Sequence, residues 1–365
     1  MVADQARLRQ PPTWLVDEPA WPDTPMPAPS VRYWRDVPHR LMQRVTARLT
    51  GRNPPAPPWR RRAGRAWQTT VAPADGGPVG GHAERPLLGV IAAWNEDDVI
   101  WSTVTNLLRE GCSAVFVLDD GSTDATASEA AAAGAEVVPR EPTARWLESE
   151  RAAAIDRLIT TQTRDRRQEI WWLVADADEF PTFPGSIRAL LDRVPENVDA
   201  LGSAVVEHYP ARGAGWSPRC DPLDIPGLAC PYPSDYCPKG HWKHQLFLRR
   251  RFDDPVPMPG AHTLRAANGR RIREWCEPIV MHHFPYRDLE RLERRIGGAR
   301  DGTGRYGRSP DTFTTWRALH RLEVVGQLRA DRHDALTNGF AGQHRDRLDL
   351  HPWPAPRDGS AGRAR

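Results

Sequence analysis

Three acids stand together at the end of an apolar run in the segment EIWWLVADADEF, residues 169–180. Ile170 to Ala175 are apolar without a break, and Asp176, Asp178 and Glu179 follow at once. A run of this kind bounded by acids reads as a fully buried strand. The carboxylates at its end repel one another, which is costly unless something positive binds there. A divalent metal carrying a diphosphate is the chemistry such an arrangement suits. Asp176 and Asp178 are two residues apart, so on an ideal strand they share a face.

Other polar groups fall at the ends of apolar runs in the same way. LLGVIAAW is followed by Asn95 and Glu96, and SAVFVLDD ends in Asp119 and Asp120. A carboxylate at Asp119 can accept a hydrogen bond from an imide N–H, and such a charge-assisted bond is strong in a sheltered place. Asp120 with Gly121 can equally be a helix cap and its turn glycine. His282 and His283 end the run PIVM, where alternation turns one inward and one outward, as a metal ligand or as an ordinary strand histidine. The chain has 48 Arg and only two Lys, and both lysines, Lys239 and Lys243, fall in PKGHWKH. The Arg excess reads as coding bias of a GC-rich genome, so a retained ammonium, which does not replace a guanidinium fork, suggests a specific role for Lys243. A surface lysine is the plain alternative.

The elements that position these groups alternate. Strands are expected at LLGVIAAW, SAVFVLDD, AEVVPR and IWWLVA. Helices are expected at NEDDVIWSTVTNLLREG, at STDATASEAAAAG with Ser122 or Thr123 as its cap, from Ala144 to about Thr163, and from Ser186 to Val194. This alternation predicts an α/β fold, a mostly parallel sheet with helices on both faces, whose ligands bind beyond the carboxyl ends of the strands. After about Ala200 the pattern turns to strands at LGSAVVEHY, HQLFLRR, HTLRAANGRRIREW and PIVMHHF, with Asn268–Gly269 as a hairpin signal. Helices at about Asp288 to Gly297 and Thr314 to Arg329 close the chain.

Residues 1–85 are rich in Pro, Arg and Trp and read as linker or wrapping peptide, with one short helix from about Val37 to Leu49. The rest divides into a domain at 86–300, a helical extension at 301–352 and a tail at 353–365 that reads as disordered. The length of 365 residues allows a substantial core. A net charge of +3 is too small to argue for nucleic acid. No run of eighteen apolar residues exists and the first residues lack an apolar h-region, so neither a membrane span nor a signal peptide is expected. Five irregularly spaced cysteines fit a reduced, cytoplasmic setting. Cys220, Cys230, Cys237, His241 and His244 match no standard zinc spacing. The stretch from Pro210 to Pro238 reads as an acceptor-side loop whose Trp216, Tyr232 and Tyr236 suit sugar stacking or local packing. The glycine-rich basic loop at 297–308 suits a lid over a diphosphate or a plain surface loop.

No phosphate-binding G-x-x-x-x-G-K-[ST] or G-x-G-x-x-G follows the first strand, which excludes the common P-loop and dinucleotide-binding enzymes. What stands there is AAWNEDD, then LDDGSTDAT, then VADADEF. Together these blocks resemble the family 2 glycosyltransferases of the GT-A fold, from about Leu87 to Arg295. The likeness is to the bacterial subgroup whose acidic motif ends Asp-Glu-Phe, followed here by WKHQLFLRR and MHHFPYR. Trp94 departs from that pattern at the position before Asn95.

The resemblance implies a GT-A (Rossmann-like) mixed, mostly parallel sheet flanked by helices. It implies a hexosyltransferase-type enzyme moving a sugar from a nucleotide-sugar, a UDP-sugar above all, to a glycan, lipid-linked or small-molecule acceptor with inversion. Peripheral association with a membrane is compatible with it. The donor nucleotide would meet Asn95, Glu96, Asp119, Asp120, Asp176 and Lys243. Mn²⁺ or Mg²⁺ would be held by Asp178, with Asp176 and His283, or His282 in place of the latter. Inversion needs a general base; Glu207 leads, then Asp224, with Asp235 and His262 also open. Two other classes fit the same scaffold: a non-catalytic nucleotide- or glycan-binding module, and a sugar-1-phosphate nucleotidyltransferase, whose glycine-rich start is missing here.

Overall fold

The computed structural model describes residues 84–140, 147–183, 186–210, 216–231, 241–250 and 272–297, with shorter pieces at 254–257, 264–266, 270, 305, 325 and 351–353. The regular part starts with β1 (Leu87–Ala93), β2 (Ala114–Asp119), β3 (Glu136–Pro139) and β4 (Ile170–Asp176). They lie in the order β3-β2-β1-β4, all parallel. The connecting helices are α1 (Ile100–Arg109), α2 (Thr126–Ala132) and α3 (Glu148–Arg166). Both faces of β1 and β4 are covered, which is why their sequences are apolar throughout. Leu87, Ile91, Trp171 and Leu173 enter one core with Val104 and Leu107 of α1; Leu88, Val90, Trp172 and Val174 enter another with Ile155 and Ile159 of α3.

A second half extends the sheet. After β5 (Glu179–Thr182) and the short helix α4 (Ile187–Leu191) come β6 (Ala200–Pro210), β7 (Gly227–Pro231) and β8 (His241–Arg249). A two-stranded piece, β9 (Val256–Pro257) with β10 (Leu264–Arg265), precedes β11 (Glu274–His283), α5 (Leu289–Ile296) and β12 (His351–Trp353). β8 is antiparallel to β4 and to the first half of β6, while β7 takes the second half of β6 and carries β12 on its far side. β11 runs parallel to β6 on the opposite edge and pairs antiparallel with β5. β6 therefore points the same way as β4, and the ends of β1, β2, β4, β6 and β11 come out on one edge. The α/β class, a mixed and mostly parallel sheet flanked by helices, is the one the resemblance implies.

Several local expectations are corrected. α1 starts at Ile100, not at Asn95, because residues 95–99 are stitched to the loop after β2. Asn95, at φ +55°, gives its N–H to Ser122 Oγ at 2.9 Å and accepts from Thr123 N at 2.8 Å, and Glu96 N donates to Thr126 Oγ1 at 2.7 Å. Ser122 and Thr123 are thus spent on this stitch and do not cap α2; Asp124 accepts from Thr126 N at 2.9 Å instead. Ser186 does cap its helix, accepting from Ala189 N at 3.2 Å. The stretch read as an acceptor-side loop contains a 3₁₀ turn at Pro222–Asp224 and the strand β7. β10 pairs with β9, and the Asn268–Gly269 turn lies outside the described residues. So do the Val37–Leu49 helix, most of the Thr314–Arg329 helix, and all of residues 1–83. Among the described residues no helix is long and apolar enough to cross a membrane.

Gly111 ends α1 at φ +113°, and a Cβ there would sit 3.0 Å from Ile187 Cγ2. Gly111→Ala is expected to destabilise the protein by about 1 to 2 kcal/mol, read as a lowered midpoint in urea unfolding.

Candidate functional site

The carboxyl edge of the sheet gathers three separate blocks of sequence. β4 ends at Asp176, and residues Ala177–Asp178 then turn the chain back into β5. That turn overrides the ideal two-residue periodicity: Asp178 lies off the strand, the shared strand face expected for Asp176 and Asp178 is not formed, and the two carboxylates take different partners. Asp176 faces α3 and β8: it pairs with Arg151, and Lys243 Nζ lies 3.6 Å away. Burial alone would raise its pKa, but Arg151 and Lys243 outweigh burial and hold it below the usual carboxylate range. Asp178 faces β11: His283 Nε2 lies 3.6 Å from its Oδ1, and Arg287 Nη1 lies 3.4 Å from its Oδ2.

Glu179 is 1 % exposed and works as a brace. It takes Lys243 Nζ at 2.5 Å on one oxygen, and Gln245 Nε2 at 2.5 Å and the backbone N–H of Asp176 at 3.0 Å on the other. Lys243, expected at a diphosphate, is instead 4 % exposed beneath the acidic turn, and its ammonium goes to Glu179 and Asp176.

Register aligns the remaining candidates. His283 of β11 lies opposite Glu179 of β5 on one side and Glu207 of β6 on the other. Glu207, 5 % exposed, therefore stands one strand from the Asp178–His283 pair. Asp224 lies in the 3₁₀ turn Pro222–Asp224, capped by Asp221, whose carboxylate also binds Arg109 in the last turn of α1 at 3.0 Å. Asp235 and His262 lie outside the described residues.

His282 points to the other side. Its Nδ1 is 2.9 Å from His208 Nε2, and its Nε2 is 3.4 Å from Thr182 Oγ1. Burial pushes His282 down to about 3 and holds His208 well below its ordinary value. Both are neutral in the native state, while in the unfolded chain they protonate below about pH 6.5. Their stabilisation is therefore complete above pH 6.5 and is lost as pH falls toward 3. For His282 the loss at pH 5 is about 2 kcal/mol. Urea unfolding at pH 7 and pH 5 should show this fall, and His282→Gln should flatten it; equal stability at both pH values in the parent protein contradicts it.

Glu96 joins the Asp178 cluster through arginines that the sequence reading missed. Arg287 pairs with Glu96, donates to Asp98 from Nε at 2.8 Å and from Nη2 at 3.1 Å, and reaches Asp178. Arg295 takes the other Glu96 oxygen, and Arg291 pairs with Asp97 and Asp124. Burial raises the Glu96 pKa against the pull of Arg295 and Arg287. Arg291 and Arg295 are four apart on one face of α5, and Arg287 directly precedes its cap, Asp288; that four-residue spacing after MHHFPY is the signal in the sequence, hidden by the abundance of Arg. Asp119 accepts from Ser122 N at 3.1 Å, and Asp120 pairs with Arg140 at 3.1 Å and with Arg305, whose guanidinium lies 4.6 Å from the Trp94 ring centre. Beside the cluster a groove of about 730 Å³ runs between the loop before α1, the start of α2 and the start of α5, lined in part by Trp216, whose indole N–H donates to the Asp98 carbonyl at 2.8 Å. Tyr232 and Tyr236 lie outside the described residues.

Among the described residues no three His, Cys, Asp or Glu side chains converge to hold an ion by themselves. For the zinc candidates, Cys220 is a free thiol, Cys230 lies in β7, His241 and His244 lie in β8, and Cys237 is outside the described residues. The Asp178–His283 pair does fit Mg²⁺ or Mn²⁺, which are bound by one or two protein ligands with phosphate oxygens and water filling the other positions.

No family model and no curated protein matches the sequence. Among solved structures the chain is similar to glucosyl-3-phosphoglycerate synthase from Mycobacterium tuberculosis. Its complex with Mn²⁺, UDP and glucosyl-3-phosphoglycerate is 25 % identical at a TM-score of 0.25, over 34 % of this chain and 45 % of that one. Its complex with Mn²⁺, UDP-glucose and phosphoglyceric acid is 22 % identical at 0.26, over 40 % and 53 %. The match spans about half the length of those synthases, and the chemistry of the site is drawn from its own residues.

Proposed function

We propose that this chain is a metal-dependent glycosyltransferase that takes a nucleotide-sugar donor, of the UDP-sugar class, and transfers the sugar with inversion to a hydroxyl of a glycan, lipid-linked or small-molecule acceptor. The observation that carries this reading is the Asp178–His283 pair, 3.6 Å apart at the carboxyl edge of the sheet and drawn from segments a hundred residues apart. Asp178 and His283 would hold Mn²⁺ or Mg²⁺, which would offset the charge on the departing diphosphate. Glu179 and Lys243 fix the turn that carries Asp178. Asp119 and Asp120, with Trp94 just after β1, receive the nucleoside end of the donor. Glu207, buried one strand from His283, is the general base: it takes the acceptor proton as the acceptor oxygen bonds to the anomeric carbon and the bond to the diphosphate breaks. Asp176 supports the site through Arg151 and Lys243 and is not a direct ligand.

The test is release of UDP from UDP-glucose and UDP-galactose by the purified protein. Slow hydrolysis that requires added Mn²⁺ is expected. Binding of nucleotide without any turnover points to a binding module instead, and the absence of both binding and turnover with every nucleotide-sugar tested refutes the proposal.

A further inference from the structure

Arg287 occupies the middle of the acidic cluster. Its side chain is 4 % exposed, and one guanidinium spans Glu96, Asp98 and Asp178. These contacts are unequal. Asp98 is held by two bonds of 2.8 and 3.1 Å and Glu96 by a close pair, whereas Asp178 is touched once, at 3.4 Å. The guanidinium is thus anchored on the loop after β1 and leans on the second oxygen of Asp178, while the first oxygen faces His283. A fixed positive charge this close to a candidate ligand opposes a divalent cation, because buried charges are poorly screened.

Resting on the metal-dependent reading above, we infer that Arg287 is a built-in counter-ion for Asp178: it holds the acidic turn in the free protein, keeps the affinity for bare Mn²⁺ low, and exchanges Asp178 for a diphosphate oxygen when metal and donor bind together. The guanidinium fork suits that exchange, since it pairs with carboxylate and phosphate in the same geometry. Metal and nucleotide therefore bind with strong positive coupling, part of which belongs to Arg287 and not to the metal–phosphate bond itself.

Calorimetric titration of Mn²⁺, with and without UDP, into the parent protein and Arg287→Gln tests this. The parent is expected to bind Mn²⁺ weakly alone and at least tenfold more tightly with UDP. Arg287→Gln is expected to bind Mn²⁺ alone at least fivefold more tightly than the parent, with the gain from UDP reduced. Loss of packing cannot produce a tighter site, so this sign separates a counter-ion from a structural arginine. Asp98→Asn serves if Arg287→Gln does not fold: with one anchor gone, Arg287 moves onto Asp178, and Mn²⁺ binding alone should weaken at least fivefold. Arg287→Gln binding Mn²⁺ no more tightly than the parent, or Asp98→Asn binding it no more weakly, overturns the inference alone. Absence of Mn²⁺ binding to every form, with or without UDP, overturns the metal-dependent reading as well.

Discussion

Asp178→Ala is expected to lower Mn²⁺-dependent release of UDP from a UDP-sugar at least ~100-fold. A bound divalent ion contributes several kcal/mol to stabilising a leaving diphosphate, and each 1.36 kcal/mol is a factor of ten in rate. The carboxylate at issue is the one whose Oδ1 faces His283 Nε2 at 3.6 Å. Its backbone carbonyl, which accepts from Phe284 N at 2.9 Å, is untouched by the change, so the β5–β11 connection survives. His283→Ala should act in the same direction. Asp176→Ala should differ in kind, since Asp176 is engaged by Arg151 and Lys243 and acts by shaping the turn. An Asp178→Ala protein that folds and keeps its full Mn²⁺-dependent rate removes Asp178 from the metal site.

The second large effect is on stability. Lys243→Met is expected to cost about 3 to 5 kcal/mol, because it strands the buried carboxylate of Glu179 without its ammonium. Glu179 is 1 % exposed and Lys243 4 %. Adding Glu179→Gln to Lys243→Met should restore much of the loss, since an amide is far cheaper to bury than an unpaired charge. Urea unfolding of the two single variants and the double variant measures the coupling. Additive losses contradict the pairing. Lys243→Arg should also be poorly tolerated, because a broader guanidinium must enter a space filled by Glu179, Asp176 and Gln245.

Much of the first half was legible in the sequence. β1, β2 and β4 are continuous apolar runs ending in polar residues, and the alternation with helices predicts a parallel sheet whose carboxyl edge holds the site. The failures have physical causes. β5 begins directly after a turn and includes Pro181, so EFPT carries no strand signal of its own; it exists because β11 pairs with it. β7 and β12, each with a proline, are likewise strands by virtue of their neighbours. The cap of α2 is not the one its sequence suggests, because Ser122 and Thr123 bond to Asn95 across the gap between two loops, a contact 27 to 28 residues away in sequence.

The site was legible by residue type and less so by partner. Asp178 and His283 meet, Glu207 lies opposite His283 in the strand register, and Asp224 stands in the 3₁₀ turn before β7. Lys243 was singled out because Lys is rare in this chain, and the rarity did mark a position with a specific demand; that demand is the burial of Glu179 and not, in the free protein, a phosphate. Arg287, Arg291 and Arg295 went unseen for the opposite reason, since in a chain with 48 Arg no single one stands out.

The most direct measurement is the melting temperature of the protein with UDP, with and without Mn²⁺, for the parent and for Asp178→Asn. A ligand that binds only the folded state raises the melting temperature by mass action. A clear upward shift is predicted for the parent with UDP and Mn²⁺ together, a small one for UDP in the presence of a chelator, and none beyond the chelator value for Asp178→Asn. Equal shifts with Mn²⁺ and with chelator, or an undiminished Mn²⁺-dependent shift in Asp178→Asn, would contradict a metal–diphosphate site at Asp178.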